Sequence, residues 1–144
     1  MKILLAACNA KYIHSNLAVF NLKAYAKEYQ SNIVLREYTI NQLKDDILKD
    51  IYRNHPDVIC VSCYIWNITF VQELMQDLRK ILPDVPFWAG GPEVSYDGEQ
   101  FLRRNPAFNG VMLGEGEETF LELVKHYVDG TVSLEETAGI VYRK

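Results

Sequence analysis

Five short runs rich in apolar and β-branched residues, at 3–7, 33–38, 58–62, 87–89 and 111–113, are separated by segments with helical periodicity. That alternation predicts repeated β-α units. Ile3-Leu4-Leu5-Ala6-Ala7 and Val58-Ile59-Cys60-Val61 are continuous rather than alternating, the pattern of strands covered by helices on both faces, so the sheet is expected to be parallel. Right-handed crossovers then give a doubly wound, Rossmann-like α/β/α sandwich of three layers. Five strands in the flavodoxin-like order 2-1-3-4-5 fit the runs better than a six-stranded Rossmann order. With 144 residues the chain has room for one domain, and 49% hydrophobic residues are enough for an ordinary core.

The helices are expected over 16–28, 42–53, 69–82 and 98–104, and from 117 to Asp129-Gly130. Their apolar stripes include Leu17, Phe20, Leu22 and Tyr25 in the first and Val71, Leu74, Leu78 and Ile81 in the third. Asn54-His55-Pro56 and Pro83-Asp84-Val85-Pro86 supply stops. The tail at 137–144 is strand-like with no helix after it, so residues 1–136 are read as the domain and the tail as a linker or strand leading into a further one.

Composition narrows the function. A formal charge of −4 argues against a nucleic-acid surface, and no apolar run reaches the length of a membrane span or of a signal-peptide core. A cytoplasmic protein is expected. Three cysteines, Cys8, Cys60 and Cys63, are too few and too odd in number for a secreted scaffold. Cys60-Val61-Ser62-Cys63 has the form C-x-x-C, but residues three apart on a strand point to opposite faces, so the pair is read as structural.

Ligands of doubly wound sheets bind beyond the carboxyl ends of the strands, which directs attention to the loops at 8–15, 39–41, 63–68, 90–97 and 114–118. Neither G-x-G-x-x-G nor G-x-x-x-x-G-K-[ST] is present, so the usual pyrophosphate cradles are missing. The acidic residues of a phosphoacceptor receiver are missing too. Tyr12, Tyr64, Trp66 and Tyr96 fall in these loops, where they either line a pocket for a large flat ligand or pack over the strand ends. Gly90-Gly91-Pro92 and Gly114-Glu115-Gly116 leave backbone open to close approach, or form ordinary tight turns. His14 is the one histidine of this set, a ligand-binding residue or one bonded to backbone.

Taken in order, Asn9-Ala10-Lys11-Tyr12-Ile13-His14-Ser15, Ser62-Cys63-Tyr64-Ile65-Trp66-Asn67, Gly90-Gly91-Pro92-Glu93-Val94 and Gly114-Glu115-Gly116-Glu117 resemble the N-terminal cobalamin-binding domain of radical S-adenosylmethionine enzymes. The resemblance covers nearly the whole chain. It implies cobalamin as cofactor, bordered by Asn9, Tyr12, His14, Ser62, Tyr64, Trp66, Gly90, Gly91, Pro92, Glu93, Gly114, Glu115 and Gly116. Ser62 would donate to the buried nucleotide tail, and Tyr64 and Trp66 would pack against the corrin. It also implies a C-terminal barrel of the same chain that carries the iron-sulfur cluster and S-adenosylmethionine, with methyl transfer as the activity of the whole enzyme. The C-x-x-x-C-x-x-C motif of such a barrel is not in these residues. Cobalamin domains of the methionine synthase type carry D-x-H-x-x-G after the first strand. Of that motif Tyr12-Ile13-His14-Ser15-Asn16-Leu17 keeps only the histidine, so no metal ligand is assigned and His14 is the one residue in place for cobalt. The competing reading is a non-catalytic flavodoxin-like module for flavin or another small ligand, or an interaction domain.

Overall fold

The computed structural model describes residues 1–10, 17–114 and 116–144. The strands β1 (Ile3–Asn9), β2 (Ile33–Thr39), β3 (Val58–Ser62), β4 (Phe87–Gly90), β5 (Gly110–Met112) and β6 (Ile140–Tyr142) form one sheet in the order β2-β1-β3-β4-β5-β6. Its first five strands are parallel and run in the flavodoxin-like order expected from the sequence.

The sheet has six strands, not five. The tail read as a linker or strand contributes β6, which pairs antiparallel with β5 through Gly110↔Tyr142, Val111↔Val141 and Met112↔Ile140. Three β-branched or aromatic residues in a row favour extended backbone. Gly139, at φ 78°, turns the chain into the strand. The Arg143 guanidinium then anchors it, donating to the carbonyl oxygens of Phe108 at 2.8 Å and of Leu102.

Helices α1 (Leu17–Tyr25), α2 (Lys44–Arg53), α3 (Ile68–Ile81), α5 (Gly98–Arg104) and α6 (Glu117–Val128) lie where periodicity places them. A short α4 (Pro92–Ser95) occupies the loop after β4, and a 3-10 helix (Lys27–Asn32) replaces the expected last turn of the first helix. Lys27 has φ 51°, which breaks the helical hydrogen-bond run there. Ser15 and Asn16, either of which has the side chain to cap α1, lie outside the described residues.

Side-chain alternation along the strands divides the core into two. Leu4, Ala6, Ile59, Val61 and Val111 meet Ile47 and Ile51 of α2 and Val71, Leu74 and Leu78 of α3. Ile3, Leu5, Cys60, Trp88 and Met112 meet Val19 of α1 and Phe120, Leu123 and Val124 of α6. Cys60 therefore lies on one face and Cys63, with Cys8, on the other, so the C-x-x-C sulfurs diverge. All three cysteines are buried and free, and burial alone raises the Cys8 and Cys60 thiols to about 12, so they are packing groups rather than nucleophiles. Among the described residues no helix is long and apolar enough to cross a membrane.

The edge strand β2 is tied to α2 by a polar cluster. Arg36 donates to both carboxylate oxygens of Asp50, at 2.9 and 2.7 Å, and the Tyr38 hydroxyl donates to the same group at 2.6 Å. Partial burial works against ionisation of Asp50, but the bonds from Arg36 and Tyr38 outweigh it and hold the carboxyl below its ordinary value. A depressed folded pKa stabilises above the unfolded value and is lost as pH falls through the folded one. Asp50→Asn should therefore flatten part of the acid limb of stability below about pH 4, measured by urea unfolding across pH.

Candidate functional site

A cavity of about 610 Å³ opens at the carboxyl ends of β3, β4 and β5 on the α1 side of the sheet. Its floor is Leu5, Cys60 and Met112, residues that alternation turns toward α1. One wall is α1 itself, through Ala18, Val19, Asn21 and Leu22. Ser62, two residues beyond Cys60 and so on the same face, sits at the end of β3, and the rim is Tyr64, Gly90, Gly91, Pro92, Ser95, Gly114, Gly116 and Glu117. Seven sequence-predicted site residues, Ser62, Tyr64, Gly90, Gly91, Pro92, Gly114 and Gly116, are thereby brought to one cavity.

Gly91 is required there by its neighbours. Its φ is +103°, and an added Cβ would lie 2.5 Å from the Cys63 carbonyl oxygen and 2.9 Å from its nitrogen. The close approach this glycine permits is thus to the protein's own backbone. The Cys63 N–H donates to the Gly90 carbonyl at 2.7 Å, and the Glu93 N–H donates back to the Cys63 carbonyl at 3.3 Å. The turn after β4 and the loop after β3 therefore form one unit. From that loop the Tyr64 and Trp66 rings project as a parallel stack, centroids 5.2 Å apart at 6°. Ile65 is 80% and Trp66 43% exposed, so an apolar shelf stands beside the mouth of the cavity.

Other expected residues are placed elsewhere. Asn9 ends β1 with its amide donating to Glu37 at 3.3 Å, outside the cavity wall. Glu93 is exposed on α4, also outside the wall. Tyr96 is fully exposed. Tyr12, His14 and Glu115 lie outside the described residues.

Sequence reasoning missed the α1 wall, Met112 and Asn67. The stripe expected through Leu17 and Phe20 is not the buried one: α1 is apolar around its circumference, and Val19 is buried while Leu17 and Phe20 face outward. Asn67 is 1% exposed and binds three backbone groups. Its amide donates to the carbonyls of Cys8 at 3.0 Å and Ser62 at 3.3 Å, and its oxygen accepts from the Tyr64 N–H at 2.8 Å.

The cavity lining is mostly carbon, with Asn21, Ser62, Tyr64, Ser95 and Glu117 as its polar side chains. Among the described residues no cluster of three or more His, Cys, Asp or Glu could hold a metal.

The family described as the B12 binding domain matches residues 3–124. This chain belongs to that family. The B12-binding domain is 30% identical over 101 residues to the cobalamin-dependent radical SAM methyltransferase TokK of Streptomyces tokunonensis, covering 70% of this chain and 14% of TokK. It is 34% identical over 100 residues to the cytidylyl-2-hydroxyethylphosphonate methyltransferase of Streptomyces wedmorensis, covering 69% of this chain and 18% of that protein. The domain thus spans under a fifth of either methyltransferase. Among solved structures, the cobalamin-dependent S-adenosylmethionine radical enzyme OxsB, with aqua-cobalamin and S-adenosylmethionine bound, superposes at a TM-score of 0.79. That match has 21% identity and covers 99% of the B12-binding domain and 21% of OxsB. A cobalamin-binding protein from Desulfitobacterium hafniense DCB-2 shares the fold at a TM-score of 0.59, 14% identity and coverage of 88% and 59%.

Proposed function

We propose that this domain holds cobalamin for a radical S-adenosylmethionine enzyme of the methyltransferase kind and presents the corrin to a separate catalytic barrel. The observation that carries the reading is the apolar cavity beside α1, with glycine-bearing loops at its rim and a stacked aromatic pair beside its mouth, in a chain of the B12-binding family.

The residues fit the cofactor in two parts. A slot floored by Leu5, Cys60 and Met112 suits the flat, weakly polar base of the nucleotide tail, with the Ser62 hydroxyl as a hydrogen-bond partner at its edge. Gly114 contributes to the rim a position where an added Cβ would meet nothing within 4 Å, so that stretch of rim presents backbone alone. The Tyr64–Trp66 shelf suits the face of a macrocycle. Cobalamin, when bound, would supply a cobalt centre able to carry a methyl group. The residues of this domain then bind and orient: α1 encloses the tail, the loops after β3 and β4 fix the ring, and the apolar lining excludes water from the buried part. The described residues of the cavity act as a holder for the cofactor, and catalysis is assigned to the barrel.

The test is expression of the complete open reading frame under anaerobic conditions, followed by metal analysis and methyl transfer from labelled S-adenosylmethionine. Cobalt together with iron and sulfide is the expected content. Cobalt without iron would remove the barrel from the account, and a flavin in place of cobalt would replace the cofactor.

A further inference from the structure

Turn residues are ordinarily polar, since a turn faces water. The loop after β3 instead presents Ile65 and Trp66, and it is fastened at both ends. At one end the Cys63 backbone is bonded to Gly90 and Glu93 and packed against Gly91. At the other the fastening is Asn67, whose position explains nothing locally. Asn67 directly precedes α3, where an asparagine usually turns its side-chain oxygen onto an N–H of the first helical turn and gains about 1 kcal/mol. No such bond is made here. The side chain reaches back instead, accepting from the Tyr64 N–H and donating to the carbonyls that end β1 and β3. The helix start forgoes its cap so that the loop can be held.

We propose that Asn67 is a positioning residue: its buried amide fixes the Tyr64–Trp66 shelf at the mouth of the cavity, in the orientation against which a flat ligand packs. The proposal rests on the cofactor reading above only for the identity of that ligand. The chemistry requires an amide. Two carbonyl oxygens face the nitrogen and one N–H faces the oxygen, so a carboxylate would set negative charge against Cys8 and Ser62 oxygens, while a serine is too short to reach all three groups.

The experiment uses Asn67→Asp and Asn67→Ser in the 144-residue chain, with Trp66→Phe and a Tyr64→Ala/Trp66→Ala double variant for comparison. The near-ultraviolet circular dichroism of the stack, identified as the band lost in Trp66→Phe, reports the shelf without any ligand. Both Asn67 variants should lose that band, with hydroxocobalamin affinity at pH 8 falling roughly tenfold, about 1.4 kcal/mol. Adding Asn67→Ser to the double variant should cost no further affinity, because the residue acts through the shelf. An unchanged band in a folded Asn67→Ser protein overturns the proposal, as does a loss of affinity that adds fully to that of the double variant. A wild-type chain that retains no cobalamin, beside Asn67 variants that lose the band, would sink the cofactor reading while sustaining the positioning role.

Discussion

Replacing Ser62 with leucine is expected to weaken hydroxocobalamin binding by roughly thirtyfold or more, a cost of about 2 kcal/mol, while the chain stays as stable as the wild type. Ser62 ends β3 on the face that meets α1, is 8% exposed, and borders the cavity beside Tyr64 and Gly90. A leucine there fills space where the account puts the nucleotide tail. Its added apolar surface meets an apolar lining, so folding should not suffer. Ser62→Ala keeps the space and removes the hydroxyl, so a smaller loss of about five- to tenfold is expected, in line with one neutral hydrogen bond. Equilibrium dialysis measures both, and thermal unfolding checks that the proteins are folded. A leucine variant that binds as tightly as the wild type would place the tail elsewhere.

The second large effect is on folding. Gly110→Ala should destabilise the domain by about 3 kcal/mol, lowering the unfolding midpoint by roughly 10 °C. An ideal Cβ on Gly110 lies 2.3 to 2.7 Å from three carbons of the Trp88 ring. That ring cannot retreat. It is 1% exposed, packed among Cys60, Met112 and Phe120, and its indole N–H donates to the Tyr127 hydroxyl at 2.9 Å. The largest side chain of the α1/α6 core is thus accommodated by the missing side chain on the adjacent strand. Because clash and ring are a single interaction, Trp88→Leu in the Gly110→Ala background should cost less than the sum of the two changes. Full additivity in urea unfolding would show that the strain lies elsewhere.

Much of this architecture could be read from residue pattern. Continuous apolar runs at 3–7 and 58–61 identified strands buried on both faces, and β1 and β3 are buried at every position. The stripe through Val71, Leu74, Leu78 and Ile81 identified α3; the first three are buried, while Ile81, in the last turn, is exposed. The strand character of the tail was legible too, but its place in this sheet was set by long-range pairing. β6 is three residues long, and its extended state depends on the edge of β5 and on carbonyls that receive Arg143. The carboxyl-edge loops supply the rim of the cavity, but it extends between the sheet and α1, and a wall made by Val19, Asn21 and Leu22 has no motif to betray it. Asn67 directly precedes α3 and carries no pattern that would mark it. Its actual partners are the ends of two strands, 59 and 5 residues away. Gly91 was read as leaving backbone open to a ligand or as part of a tight turn, whereas the contact it makes is with the Cys63 backbone, set by the pairing of β3 with β4.

The most direct test of the central claim is anaerobic equilibrium dialysis of this 144-residue chain against hydroxocobalamin, with the visible spectrum of the retained cofactor recorded. The account predicts saturable retention approaching one cobalamin per chain, reduced in Ser62→Leu. A chain shown to be folded by circular dichroism that retains no cobalamin, or retains it equally in both proteins, would contradict it.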